Sequence, residues 1–332
     1  MVIRNIKLHA FPSLAREVIF KQMDGLSIFD LLQLSKKVKR MFKSDCRSYN
    51  QKIAIVFGEN ISVSFVSQAN EEIGKIEILS ETELSDFDVG YPQRIGETLE
   101  VYSVRGETSL PTLKTFWKDT WMGLQSVCKE LIHTFQTPTF HIKIDLDEYK
   151  EGYEPIISWI NGVAGLVGDV QFSGFRVESS ILTWCLENLK TTTSITVSTF
   201  LGQYFMPTVI HVNTHKLMIS DGKWVTLNHL KSLECAEVKI KKVSMSDATM
   251  SQFLQYLKRG SNPNLKLLSL EVERNVAIEV ILSELNAVKR QKGEWTFLLS
   301  TGHKSSFTCH TEANAYPYGD PDTRIEINIE RK

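Results

Sequence analysis

The sequence predicts a mixed α/β (α+β) chain: a helical N-terminal segment followed by strand–helix units that repeat into a solenoid arc. Three observations predict it. Short alternating apolar runs recur from Phe140 onward some 21 to 30 residues apart, with amphipathic segments between most of them. The first fifty residues instead carry apolar side chains at three- and four-residue spacings, the period of a helix. Charge divides the same way, for residues 1–50 hold ten bases and four acids although the whole chain has a net charge of -1.

The 332 residues are enough for about two domains, and 42% hydrophobic with 23% charged residues is ordinary globular usage. Near neutrality excludes a bulk electrostatic footprint for nucleic acid. No apolar stretch reaches the roughly 18 to 20 residues of a spanning helix, and the opening lacks a signal-peptide core. The expectation is an intracellular protein, in cytoplasm or nucleus, without membrane or nucleic-acid partners. Five scattered cysteines with no C-x-x-C pair read as reduced core thiols, neither a disulfide framework nor a zinc knuckle.

In order along the chain, Leu14, Ala15, Val18, Ile19 and Met23 predict one buried stripe on a helix opened by Pro12. After Asp24-Gly25, Ser27 is placed to cap a second helix with Ile28, Leu31 and Leu32 inward and Asp30 in a capping-box position. Ser35 is placed to cap a third, with Val38, Met41 and Phe42 inward and Lys36, Lys37, Lys39, Arg40 and Lys43 covering its other faces. That basic string reads as a solvated helix face. Three short helices bury little by themselves, so this segment must dock on something.

Ile53/Ile55/Phe57 and Ile61/Val63/Phe65 flank Gly58-Glu59-Asn60 as a hairpin, and Lys75–Ile78 adds a strand. The acidic stretch 81–106, with Gly90, Pro92 and Gly96, reads as a surface loop, and 112–135 as one helix ended by Pro138. Strands follow at Phe140/Ile142/Ile144, Val170/Phe172, Ile195/Val197, Leu217/Ile219, Val238/Ile240, Leu268/Leu270/Val272 and Phe297/Leu299. Helices are expected at 155–160, 180–189, 246–259 and 276–288; in the third, Met250, Phe253, Leu254 and Leu257 form one face. Leu265-x-x-Leu268-x-Leu270 and Leu230-x-x-Leu233-x-Cys235 fit the core of a leucine-rich repeat and suggest a leucine-rich-repeat-like arc; the period varies and no asparagine ladder follows, so an ordinary α/β or α+β domain is the alternative.

Two resemblances bear on function. Phe11-Pro12-x-Leu14-x-x-x-Val18-Ile19-x-x-x-Met23-Asp24-x-Leu26, then Leu31-x-x-Leu34-Ser35-Lys36-Lys37-x-Lys39, resembles the F-box, with Phe11, Gly25 and Val38 departing from its usual residues. Trp224-x-x-Leu227-x-x-Leu230-x-x-Leu233-x-Cys235, followed by Phe253-Leu254-x-x-Leu257-x-x-Gly260-x-Asn262-Pro263-x-Leu265-x-x-Leu268, is similar to the type-two F-box-associated domain of nematode F-box proteins, best over 210–272. The resemblance implies an F-box at 8–50, a strand hairpin, acidic loop and connecting helix at 51–136, and an F-box-associated domain at 137–332. It also implies the substrate-recognition subunit of a Skp, cullin and F-box ubiquitin ligase. The Skp-family adaptor would be bound through Phe11, Pro12, Leu14, Val18, Ile19, Met23, Leu26, Leu31, Leu34, Ser35 and Val38, and an unidentified target protein by the C-terminal domain.

No cofactor and no catalysis by the chain itself are expected. His211 and His215 are four apart but on a β-branched stretch without a third ligand, and Asp145, Asp147 and Glu148 lack a tight glycine turn, so neither reads as a metal site. Gly162, Gly165 and Gly168 precede a strand and so lack the setting of a dinucleotide loop. The alternative from another class is a stand-alone leucine-rich-repeat-like scaffold whose N-terminal helices only cap it, with no ubiquitin role.

Overall fold

The computed structural model describes residues 8–46, 52–96, 100–106, 109–135, 138–190, 193–201, 209–274, 276–291, 294–298, 304–312 and 322–330. The chain forms two compact units, Met1–Lys143 and Ile144–Lys332.

Three helices open the first unit: α1 (Ser13–Gln22), α2 (Gly25–Leu34) and α3 (Lys36–Asp45). Ser35 caps α3 as expected, accepting from the Val38 N–H at 3.4 Å. The cap of α2 is Asp24 instead of Ser27: its carboxylate accepts from the Ser27 N–H at 2.8 Å and from the Ser27 hydroxyl at 2.6 Å. The helix thus starts three residues earlier than the serine suggests, because an aspartate already stands where the first free N–H groups need an acceptor. Asp30, expected in a capping box, faces the sheet and takes Arg105 and the Gln93 amide. Gly25 is buried, and the Phe65 ring fills the place a side chain would take, so α2 can start only on a residue without one.

Behind the helices, β1 (Lys52–Phe57) and β2 (Ile61–Val66) pair as the expected hairpin, Phe57 opposite Ile61, and β3 (Glu72–Ser80) continues antiparallel. The acidic segment is not all loop: β4 (Tyr91–Arg94) and β5 (Glu100–Gly106) form an antiparallel edge. Nor is 112–135 one helix. Residues Thr112–Trp117 are strand β6, parallel to β3 and antiparallel to β5, and only Thr120–Thr134 is helical, as α4. Asp119 separates the two by accepting from the Trp121 and Met122 N–H groups. Edge-to-face ring contacts of Phe42 with Phe20 at 5.1 Å and with Phe135 at 6.0 Å, and of Phe65 with Phe135 at 6.2 Å, join α1, α3, β2 and the end of α4.

Strand β7 (Thr139–Asp145) carries the chain into the second unit, followed by α5 (Tyr153–Gly162), β8 (Val167–Val177), α6 (Ser179–Asn188), β9 (Ser194–Leu201) and β10 (Lys216–Ile219). Next come α7 (Leu227–Ser232), β11 (Glu237–Val243), α8 (Asp247–Lys258), β12 (Leu267–Val272) and α9 (Ile278–Glu284). Strands β8 to β12 lie side by side in chain order, each parallel to the next. Parallel neighbours need a crossover long enough to hold a helix or loop, and the 21- to 30-residue spacing in the sequence supplies it. Val170, Phe172, Ile195, Val197, Leu217, Ile219, Val238, Ile240, Leu268 and Leu270 are buried at alternate positions, with Ser194 and Ser269 buried beside them, and the helices add Ile157, Leu182, Leu230, Phe253 and Leu254.

Beyond β12 the pattern changes. Strands β13 (Val288–Gln291), β14 (Glu294–Leu298), β15 (Lys304–Glu312) and β16 (Asp322–Glu330) form an antiparallel meander whose last strand returns to pair with β12. The run at Phe297 is thus a hairpin strand and not a further repeat, since β13 and β14 follow too closely for a crossover; Leu299 lies outside the described residues.

Candidate protein interaction surfaces

Helix α1 has two faces with opposite fates. Arg16 Nε donates to Asp45 of α3 at 2.6 Å, and Phe20, one turn on, meets Phe42 of the same helix. Leu14 and Val18, also one turn apart, are rotated from Arg16 and Phe20 by about 200°. They point away from α3 and are 72% and 54% exposed. Phe11, a turn earlier, is 40% exposed. The stripe expected to be buried is therefore largely bare, and Phe20 is the buried anchor. On α2, Leu26, Ile28, Phe29 and Leu32 are buried while Leu34, its last residue, is 81% exposed.

Of the residues the F-box resemblance singles out, Phe11, Pro12, Leu14, Val18 and Leu34 are exposed, and Ile19, Met23, Leu31, Ser35 and Val38 are half-buried. Leu26 is wholly buried, packed where Gly74 of β3 leaves room, and has no surface to offer a partner.

The basic face of α3 is divided as well. Lys36, Lys37 and Arg40 are exposed, whereas Lys39 pairs with Glu130 of α4 and Lys43 Nζ lies 3.0 Å from His133 Nε2. Burial and then the neighbouring Lys39 charge lower the Lys43 pKa. Glu130 joins three helices, accepting also from the Gln33 amide of α2 at 3.2 Å and from the Thr134 hydroxyl. Nothing in the local sequence marks it, since its partners lie about ninety residues away.

In the second unit the block around 210–272 acts structurally. Thr226 caps α7 reciprocally with His229, and Trp224 meets the His229 ring edge-on at 5.6 Å. Leu230, Leu233 and Cys235 are buried. Gly260 turns the end of α8 with φ of 76°, and Asn262, itself buried, donates to the Leu233 carbonyl at 3.0 Å. The Tyr256 hydroxyl bridges to the carbonyls of Lys231 and Ser261. These residues set the spacing between one strand and the next.

His211 and His215 are exposed on extended backbone, and the described residues contain no group of three or more His, Cys, Asp or Glu able to hold a metal. Asp145 and Asp147 serve the backbone, the first accepting from the Asp147 N–H and the second from Phe175 and Arg176. Cys46, Cys128, Cys185 and Cys235 are free and buried, and burial raises each thiol: Cys46 and Cys235 to about 11, Cys185 to about 12, Cys128 further. No described helix is long and apolar enough to cross a membrane.

The fold is mixed α/β, with apolar side chains of α1 and the end of α2 exposed. Residues 206–270 match the F-box associated family, so the chain carries an F-box-associated domain where the tryptophan, leucine and Asn262 block lies. It is also similar to the Skn-1 dependent zygotic transcript 15 protein of Caenorhabditis elegans, at 23% identity over 278 residues that span 80% of this chain and 79% of that one. No solved structure matches it.

Proposed function

We propose that this protein is the target-recognition subunit of a Skp, cullin and F-box ubiquitin ligase. Helices α1 and α2 bind the Skp-family adaptor, and the second unit, a leucine-rich-repeat-like arc, holds the target. The observation that carries this reading is the bare apolar face of α1: Phe11, Leu14 and Val18 stay exposed although the same helix is locked on its other side by Arg16 and Phe20. Apolar side chains held rigidly in water mark a protein contact. The match at residues 206–270 supports the pairing, because the family it belongs to is associated with F-boxes. The chain itself supplies no catalysis and needs no cofactor; it raises the local concentration of target lysines near the charged ubiquitin enzyme.

The second reading, a scaffold whose N-terminal helices are only a cap, draws on Phe20, Phe29, Leu32 and Phe42, which bury the helices in their own unit. The two part on one experiment with the full chain: co-purification with a Skp-family adaptor. Capture by the wild type, abolished by Leu14→Asp with Val18→Asp at unchanged melting temperature, is expected. Absence of capture, or capture by the double variant, leaves the scaffold.

A further inference from the structure

The second unit buries the apolar side chains at alternate positions of β8 to β12, and the residues between them, most of them at least partly exposed, form the other face of the sheet. On that face lies a cavity of about 420 Å³ whose lining includes Lys239, Lys241, Arg324, Ser220 and Ser269, with Glu271 its one carboxylate. Among the described residues Lys239 and Lys241 have no carboxylate partner, and Arg324 reaches only Glu326, at 3.5 Å. The hydroxyl-lined hollow therefore holds two lysines without a carboxylate partner among the described residues.

An aromatic shelf adjoins it. Ser198 is within 3.2 Å of Ser220 on the cavity rim, and two residues further along the same face of β9 stands Phe200. Its ring stacks on Phe175 at 5.7 Å with planes 7° apart, and both are exposed, by 47% and 77%. Lys242, next to Lys241, holds its ammonium 5.7 Å from the Phe200 ring. Two irregularities build this group. The register of β8 shifts between Gly174 and Val177, where Asp147 fixes the backbone N–H groups of Phe175 and Arg176. The register of β11 shifts between Ile240 and Val243, with Lys242 in the left-handed region at φ of 54°. Bulges re-aim side chains, and a lysine held at positive φ costs free energy.

We propose that this face binds an acidic, extended segment of a partner protein, its carboxylates on Lys239 and Lys241 and an apolar side chain on the Phe175 and Phe200 shelf. Charge complementarity selects the occupant, because Arg324 is already met by Glu326 while Lys239 and Lys241 have no carboxylate partner among the described residues and outnumber Glu271 on the cavity lining. Spacing selects its form: Lys239 and Lys241, two apart on one strand, lie about 7 Å apart along it, the interval between alternate residues of an extended peptide. The proposal rests on the reading of the second unit as the target-binding part.

The test uses the full chain and fluorescein-labelled octapeptides, one alternating Glu and Phe and one alternating Lys and Phe, read by fluorescence anisotropy. Binding of the acidic peptide alone is expected, weakening as NaCl rises from about 0.05 to 0.5 M because exposed charges are screened. Lys239→Glu with Lys241→Glu should weaken it by about tenfold or more, and Phe200→Ala by a smaller factor, with adaptor capture unchanged. Equal binding of both peptides, binding of neither, or an unchanged affinity in the charge-reversed variant would overturn the proposal. Acidic-peptide binding without adaptor capture supports this face and sinks the ligase reading; adaptor capture without peptide discrimination does the reverse.

Discussion

Helix α1 and the parallel strands of the second unit treat apolar side chains in opposite ways. In β8 to β12 most apolar residues are inside, with Phe175 and Phe200 the exposed exceptions, and the positions between them include Gln171, Thr196, Met218 and Lys239. In α1 the buried face is small, carried by Phe20 and the Arg16 to Asp45 pair, and the larger apolar face is outside. The strands bury their apolar face against their own helices, while α1 leaves Leu14 and Val18 exposed. Leu14 and Val18 are exposed one turn apart on a helix whose opposite face is fixed by Arg16 and Phe20.

Separating stability from capture is the strongest way to break that contrast. Phe20→Ala or Phe42→Ala empties a packed aromatic cluster and should cost about 3 to 5 kcal/mol in urea denaturation. Leu14→Ala and Val18→Ala should change stability by less than about 0.5 kcal/mol, as surface substitutions do. Equal losses at both faces would mean that Leu14 and Val18 are core residues. Next in size is Glu130→Ala, which leaves Lys39 without its carboxylate at the junction of α2, α3 and α4. Removing one partner of a buried pair costs about 3 kcal/mol. Combining it with Lys39→Met should recover part of the loss, and a double variant no better than the single one would show that the pair is not the cause.

The buried thiols test both units at once. With Cys46 and Cys235 titrating near 11 and Cys185 near 12, little thiolate exists in the native protein at pH 8, and Cys128 is held higher still. These thiols should react with a disulfide reagent on the order of a hundredfold more slowly in the native chain than in denaturant. Because the folded values are raised, the unfolded chain gives up its protons first. Stability is complete below about 8.5 and falls as pH climbs toward 11 to 12. Native reaction at the denatured rate at any of the four would disprove its burial.

The alternation of Ile195 with Val197 or Val238 with Ile240 fixes strands from the sequence alone, since a pleated strand with one buried face admits no other pattern. Leu113, Phe116 and Trp117 mislead because their spacing of three and four imitates a helix; the opposing cues are Thr112 and Thr115 beside them and Asp119, the real cap. Ile325, Ile327 and Ile329 alternate as clearly as any strand and are buried in β16, a signal the sequence carries plainly. Which face of α1 is covered is not a local property. Leu14 with Val18 and Phe20 with Met23 both have helical spacing, and Asp45 and Phe42, more than twenty residues on, decide between them. The face bearing the two lysines has the same character: Lys239 and Lys241 lie two apart in sequence, but Arg324 joins them only because β16 returns beside β12.

The smallest effects concern how the F-box-associated block keeps its spacing and how one helix of each unit is capped. Asn262→Ala removes the donor to the buried Leu233 carbonyl and should cost about 1 to 2 kcal/mol. Thr226→Ala removes the reciprocal cap of α7, worth about 1 kcal/mol. Ser35→Ala removes the single serine cap of α3 in the first unit and should cost no more. Helix α7 has only six residues, so a lost cap frees a larger share of its turns than in the ten-residue α3. Hydrogen exchange should therefore rise across the whole of α7 in Thr226→Ala but only in the first turn of α3 in Ser35→Ala. Exchange confined to one turn in both would show that the strands, and not the cap, hold Leu230 and Leu233 in the core.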